Sequence, residues 1–411
     1  MGRLHRAAHR GDLEVCVRLL STGAEADKPD SRGSTPLYFA SRQGYDEIVQ
    51  LLLLHGARVD RVRENGSGAT YLYLACQEGH ASVVRTLLSS GAAVDKARTE
   101  DGVAPLYIAA CKGHTAIVEA LLAAGAAPDR PKADGTTPLF AAAWAGHAAA
   151  VRALVAAGAL VNRPRDSRGC TPLYIAASKG HAAVVEELLG AAAAVDQPRA
   201  TDGITPLYIA AQEGHTTIVR GLLAAGAEVD RSVHDAVTPL YIASLMGHEA
   251  IAQILLGAGA AVDQARSGGI TPLFAAAQAG HTPIVLGLLA AGAEVDRRAQ
   301  ELGGVTALYV AAGRGRTDTV RVLLAAHASV DSLCAEDSTT PLHVAAGRGH
   351  TETVHLLLTA GAAVDHANDQ GFTPIYIAAQ EGHSAMAEAL LTAGAAVDQQ
   401  KQVRVAPMVP Y

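Results

Sequence analysis

Residues 205–230 read TPLYIAAQEGHTTIVRGLLAAGAEVD, and nearly the same phrase returns at Thr35, Thr171, Thr238, Thr271 and Thr373. Weaker copies start at Thr70, Ala104, Thr137, Thr306 and Thr340. Between the second residues of successive copies, from Pro36 to Pro374, the spacing is 33 to 35 residues. Residues 4–8 align with residues 37–41 and make a twelfth copy. A fixed period of this length along a whole chain means a repeat solenoid, in which each unit stacks on its neighbours.

The phrase can be taken residue by residue. Thr205 suits a helix cap, and Pro206 suits the first helical position, where no backbone N–H is needed. Leu207, Ala210 and Ala211 follow at helical spacing and predict a short helix buried on that face. Gly214 stops it in a left-handed backbone. Ile218, Val219, Leu222 and Leu223 mark the apolar stripe of a second helix, which Gly226 ends. Residues 227–230 then run extended into a turn. Two helices this short bury their apolar faces only by stacking.

The pattern TPL…A…GH…IV…LL…GA…VD resembles the ankyrin repeat, over about residues 1–398. The resemblance implies an all-α solenoid of stacked helix–turn–helix units joined by hairpin-like loops. The family usually carries His after TPL. Here Tyr38, Tyr107, Tyr174, Tyr208, Tyr241, Tyr309 and Tyr376 stand there; His343, and His5 in the first copy, keep the family residue. Tyr brings more apolar area and still offers a hydroxyl, so the fold is expected to survive the change.

The expected organisation is one array over residues 1–398, with residues 1–34 as a polar N-terminal cap and 399–411 as a C-terminal tail. At about 10 Å per repeat the array would be a rod on the order of 110 Å long. Two repeats depart from the pattern. Repeat 6 carries Ala192 where the second helix should stop at Gly, and a left-handed Ala there costs about 1 kcal/mol. Repeat 10 has Ala307 for the Pro, Arg316 for the His and His327 for the Gly. It reads as the weak joint of the array, with local opening expected between Gly303 and Asp331.

The formal net charge of −7 gives no global attraction to nucleic acid or membrane. Cys16, Cys76, Cys111, Cys170 and Cys334 are odd in number and scattered, which argues for a reducing compartment, the cytoplasm or the nucleus. The apolar region 138–161 is interrupted by His147 and Arg152 and is explained by stacked Ala-rich helices, so no membrane span is expected. Nine histidines recur at the GH position, from His80 to His383, one per repeat. That register implies hydrogen bonding between adjacent loops rather than a metal site, since imidazoles about 10 Å apart cannot share one zinc. No phosphate loop, HExxH or GxSxG pattern is present, so no enzyme activity, cofactor or metal is expected. The VD aspartates, such as Asp196, Asp230 and Asp263, read as turn residues; Asn162 is the single Asn at that place and reads as drift from Asp.

Two features point to binding. The turns carry a basic row of Arg61, Arg63, Lys96, Arg98, Arg130, Lys132, Arg163, Arg165, Arg199, Arg231, Arg266, Arg297 and Arg298, with Arg168 beside it. Pairing with the neighbouring VD carboxylate is the plain reading, and a positive rim for acidic partners is the sharper one. The second feature is the residue pair before the Gly that ends each first helix, which in the ankyrin family faces the concave groove. Lys179 and the Gln212-Glu213 pair are polar there, whereas Trp144-Ala145 and Leu245-Met246 are not. Trp is the residue most enriched at binding hot spots.

The expected function is a non-enzymatic scaffold, monomeric, that binds other proteins or extended peptides in its groove. Trp144 and Leu245-Met246, three repeats apart, would anchor apolar residues about nine positions apart in an extended ligand that is acidic between them. A targeting or regulatory subunit of a phosphatase, kinase or ubiquitin ligase is the alternative. Nucleic-acid binding through the rim is the weaker one, because no aromatic row interleaves the basic residues.

Overall fold

The computed structural model describes residues 2–62 and 68–397. Among these residues the chain forms twelve pairs of short α-helices, three single 3-10 turns and no strand. By backbone contacts it divides into two compact units, residues 1–202 and 203–411, each holding six repeats. Arg63 and the tail beyond residue 397 lie outside the described residues.

In the first unit the leading helices are Arg3–Arg10, Pro36–Gln43, Tyr71–Glu78, Pro105–Lys112, Pro138–Ala145 and Pro172–Lys179. Their partners are Leu13–Ser21, Asp46–Leu54, Ala81–Ser89, Thr115–Ala123, Ala148–Ala156 and Ala182–Gly190. The second unit repeats the scheme, with leading helices Pro206–Glu213, Pro239–Met246, Pro272–Ala279, Ala307–Gly313, Pro341–Gly347 and Pro374–Gln380. Their partners are Thr216–Ala224, Glu249–Gly257, Thr282–Ala290, Thr317–Ala325, Thr351–Thr359 and Ser384–Thr392. Within each unit, leading helices pack on leading helices and second helices on second helices.

The local chemistry is the one the repeat phrase predicts. The Thr205 hydroxyl accepts the Tyr208 N–H, and Thr35, Thr70, Thr137, Thr171, Thr238, Thr271, Thr306 and Thr340 cap in the same way. Leu207, Ala210, Ala211, Val219 and Leu222 are fully buried, whereas Leu223 sits at the edge of the stripe, half-buried. Each buried leucine contributes about 1.5–3 kcal/mol. Tyr71 takes the place of Pro in repeat 3 and turns its hydroxyl inward, 2.8 Å from the Thr35 hydroxyl. Burial of that phenol pushes its pKa up to about 12.

Two cross-repeat clamps tie neighbours together. The GH histidine reaches back to a carbonyl near the end of the preceding leading helix: His80 to Arg42 at 3.0 Å, His181 to Trp144 at 3.1 Å, His248 to Gln212 at 2.9 Å and His281 to Leu245 at 3.2 Å. The ring lies over the glycine that ends that helix. At Gly146, with φ +83°, an added Cβ would stand 2.7 Å from the His181 ring, so the position excludes side chains on two grounds.

The second clamp corrects the reading of the VD carboxylate as a turn residue alone. It accepts a backbone N–H from the next repeat: Asp60 from Ala93, Asp129 from Leu160, Asp230 from Ala261 and Asp263 from Glu294, at 3.0–3.3 Å. Asn162 does the same through Oδ1 to Ala194 at 2.8 Å, so the amide keeps the one acceptor that the place requires.

The irregular repeats keep their backbone. Ala192 sits at φ +58°, Ala236 at +55° and His327 at +62°, all left-handed. Arg316 adopts the backbone of the GH histidines and lays its side chain over Gly280, where a Cβ would meet Arg316 Cδ at 2.7 Å. Repeat 10 keeps both clamps, through His350 and the Ser329 N–H, and gains two further bonds from Arg348 and the Ser329 hydroxyl. Gly313 O accepts Arg348 Nη1 at 2.8 Å and His350 at 3.3 Å, and Ser329 donates twice to Asp296.

Candidate functional site

The leading helices Pro105–Lys112 and Pro138–Ala145 pack side by side. Along the first, Tyr107 and Cys111 are four residues apart; along the second, Phe140 and Trp144 are. Residues at this spacing share one helix face. Both faces open toward the loops that carry Lys132, Asp134 and Arg165, and together they line a cavity of about 210 Å³ with Ala141 and Thr136. Phe140 and Ala141 are buried, whereas the Trp144 side chain is 51% exposed at the mouth. Cys111 is a free thiol, half-buried.

Two carboxylates hold the charge in this site: Asp166 Oδ2 lies 3.9 Å from Arg165 Nε, and Asp134 holds both cations. Asp134 Oδ2 takes Lys132 Nζ at 3.0 Å and Arg165 Nη2 at 3.3 Å, while Oδ1 takes the Thr136 hydroxyl and N–H. Burial works to raise this carboxyl, but the hydrogen bonds from Thr136 and Lys132 outweigh it and hold the pKa down at about 2. Burial pushes the Tyr107 phenol up, so it stays neutral. The two cations lie over aromatic faces, Lys132 5.7 Å from the Tyr107 centroid and Arg165 5.9 Å from that of Phe140. This pairing repeats on either side, with Arg98 over Tyr73 at 5.5 Å and Arg199 over Tyr174 at 5.2 Å. The first unit therefore carries a four-step ladder of cations on rings, each step worth about 0.5–1 kcal/mol at an exposed site.

The other binding residues expected from the sequence fall as follows. Ala145 is half-buried beside Trp144, and Lys179 is exposed one repeat on. Arg163 donates to the Asp129 carbonyl at 3.1 Å, and Arg199 pairs with Asp202. Arg168 is exposed, its N–H bonded to Asp166 and its carbonyl accepting from Ala200. In the second unit Gln212 donates to Glu213 at 3.0 Å, Arg231 pairs with Glu228 at 3.5 Å, and Leu245 and Met246 are 36% and 51% exposed. Of these residues the Trp144 cavity gathers Arg165 alone. Trp144 belongs to the first unit and Leu245-Met246 to the second.

The basic row does pair locally, but mostly with a different partner from the VD carboxylate. That carboxylate is already taken by the next repeat's N–H, so Lys96 and Arg163 bond the VD carbonyl instead. Arg98, Lys132, Arg199 and Arg266 pair with the loop aspartates Asp101, Asp134, Asp202 and Asp235. Arg61 is an exception and reaches the Asp27 carboxylate at 3.1 Å. Sequence reasoning passed over Tyr107, Cys111, Lys132 and Phe140 as one site. The available signal was register: Cys111 stands at the same place in repeat 4 as Trp144 in repeat 5.

The family pattern described as ankyrin repeats (three copies) matches residues 4–98, 93–165, 160–233, 230–299 and 308–401, and the chain belongs to the ankyrin-repeat family. Ankyrin repeats are protein-interaction modules. The mouse ARF GTPase-activating protein GIT2 is similar to this chain, 46% identical over 57 residues, which are 13% of this chain and 8% of that protein. The yeast (Saccharomyces cerevisiae) ankyrin repeat-containing protein YIL001W is 40% identical over 57 residues, 14% of this chain and 11% of its own length. The human transient receptor potential cation channel subfamily A member 1 is 42% identical over 57 residues, 13% of this chain and 5% of its own. The alignments thus span small parts of these relatives. No helix among the described residues is long and apolar enough to cross a membrane.

Proposed function

We propose that this protein is a non-enzymatic binding scaffold whose primary contact is the Trp144 cavity of repeats 4 and 5. The observation that carries the reading is a half-exposed Trp at the mouth of an aromatic-lined cavity, in a register position where Gln77 and Ser178 stand in the flanking repeats 3 and 6. Trp in a partly desolvated pocket is the usual centre of a hot spot. Lys132 and Arg165 are balanced by Asp134 and by Asp166, 3.9 Å from Arg165, so the cavity favours a ligand with an apolar or aromatic side chain rather than an acidic group. The resident cations already cover the ring faces, which disfavours a cationic ligand. Pairing of the basic row with loop aspartates also lowers the charge available to nucleic acid and favours a protein partner.

A random-peptide library selected on the immobilised chain supplies ligands, which are then titrated by calorimetry. Trp144→Ala is expected to cost about 2 kcal/mol, close to thirtyfold in Kd, and Gln77→Ala close to nothing. Occupancy is read independently as protection of the Cys111 thiol from alkylation. Equal affinities for Trp144→Ala and wild type, together with an unprotected Cys111, would sink the assignment. Melting curves of each variant separate lost binding from lost folding.

A further inference from the structure

A second cavity, about 680 Å³, lies between repeats 1 and 2. Its wall carries Arg6 and Arg10, four residues apart on one face of the first helix, with Arg42 on the neighbouring leading helix and Arg32 on the loop between. Asp30 is the single acidic residue of the lining, so four arginines face one carboxylate in a chain whose formal net charge is −7. That carboxylate is committed to the loop. It accepts the N–H groups of Arg32 at 2.9 Å and Ser34 at 3.0 Å. Arg10 and Arg42 are exposed, and Arg42 makes a long ion pair with Glu78 at 3.9 Å.

The floor is aromatic. Phe39 takes an edge-on contact from Tyr38 at 5.3 Å and another from His9 at 5.4 Å. Its place in the repeat phrase is aliphatic in repeats 3 to 12, as with Ile108, Ile175 and Ile209, and is Arg6 in repeat 1, so the ring is peculiar to this end of the array. The volume falls in the range of sites that bury ligands of many atoms, about 300–1,000 Å³, and exceeds what one inorganic anion fills. The guanidinium groups come from three separate chain segments, which suits several anionic groups spread along a ligand.

We propose that this cavity binds an acidic peptide segment, one with several Asp or Glu residues around an apolar side chain that rests on Phe39. The site is distinct from the Trp144 cavity and stands or falls separately. A protein ligand is favoured over nucleic acid because these arginines cluster at one cavity of an acidic chain, while the basic row of the turns is largely paired with loop aspartates and leaves no extended basic field for a phosphate backbone.

The probe is a fluorescein-labelled peptide of six glutamates split by one leucine, followed by anisotropy with the full chain. The double variant Arg10→Glu/Arg42→Glu is expected to weaken binding by about tenfold or more, and raising the salt concentration weakens it further. Arg18→Glu/Arg85→Glu changes the net charge equally on exposed positions of second helices and is expected to change affinity less than about twofold. If the first double variant does not fold by circular dichroism, Arg10→Gln/Arg42→Gln replaces it. Equal losses in the two double variants would show a long-range field rather than a site and overturn the proposal. So would tighter binding of a duplex oligonucleotide, displacement by phosphate at low concentration, equal binding of the glutamine version of the peptide, or no binding by the wild-type chain.

Discussion

Replacing Ala192 by Gly should stabilise repeat 6, and the structure sets the size of the gain. Ala192 ends the helix Ala182–Gly190 at φ +58°, the left-handed region, where an L-residue pays about 1–2 kcal/mol. The equivalent glycines Gly125 and Gly158 sit at φ +86°, and a Cβ added to either meets nothing within 4 Å. Ala192 is exposed, so its methyl group returns little packing for the strain. Glycine gives back about 0.4–1 kcal/mol through the entropy of the unfolded chain. The balance is about 0.5–1 kcal/mol in favour of Ala192→Gly, and Gly158→Ala should lose a similar amount. A repeat array does not unfold in one step, so a single melting temperature is a poor measure. Amide hydrogen exchange across residues 182–198 reads the local opening directly. It should slow about two- to fivefold in Ala192→Gly, and the matching segment of repeat 5 should quicken by the same factor in Gly158→Ala. His327→Gly is the companion change in repeat 10 and should slow exchange between Gly303 and Asp331. If Ala192→Gly left exchange in repeat 6 unchanged or faster, the assignment of strain to that backbone would be wrong.

The remaining predictions concern the clamp and one buried ring. Asp230→Ala strips the acceptor from the Ala261 N–H and should cost about 0.5–1.5 kcal/mol, measured by urea unfolding, whereas Asn162→Asp keeps the acceptor at its place and should be near neutral. His343 is 1% exposed; its Nδ1 accepts the Thr340 N–H at 3.2 Å and its Nε2–H donates to the Phe372 carbonyl at 3.1 Å. Burial, with the His366 ring at 5.9 Å, pushes its pKa down to about 4. The unfolded imidazole binds its proton first, so stability is full above the ordinary histidine value of about 6.5 and is lost as pH falls from there toward 4, by on the order of 3 kcal/mol. Urea midpoints across that window should slope for wild type and flatten for His343→Tyr; parallel slopes would place the proton elsewhere.

The fold was legible because every level of the phrase agreed. Thr205, Pro206 and Gly214 fix the ends of one helix, and Ile218, Val219 and Leu222 fix the buried face of the next. Even the exceptions were readable, since Ala192 and His327 hold the backbone that their neighbours' glycines announce. Trp144 stood out by register alone. The rest of its cavity did not, because Lys132 and Asp134 recur at the repeat period as turn residues, and the period does not say that their loop meets the face of Phe140 and Trp144. The carboxylate clamp was hidden for a related reason. Asp at the end of a repeat reads as a turn former, and only packing shows that its acceptor meets the N–H 31 to 33 residues later.

The tyrosines after TPL show how one fold is held by two different contacts. His343 keeps the family residue and ties its helix to the next loop through the Phe372 carbonyl. Tyr107 and Tyr174 have no ring nitrogen to make that bond. Their repeats instead set a loop cation on the ring, Lys132 and Arg199, and a loop aspartate orients each cation, Asp134 and Asp202. A hydrogen bond between ring and loop has been replaced by ring, cation and carboxylate acting together. This accounts for the abundance of arginine and aspartate in the loops of the first unit without recourse to an acidic partner. It also separates the two basic regions: the ladder arginines are occupied by the fold, whereas Arg10 and Arg42, exposed at the edge of an aromatic-floored cavity, stand outside the ladder.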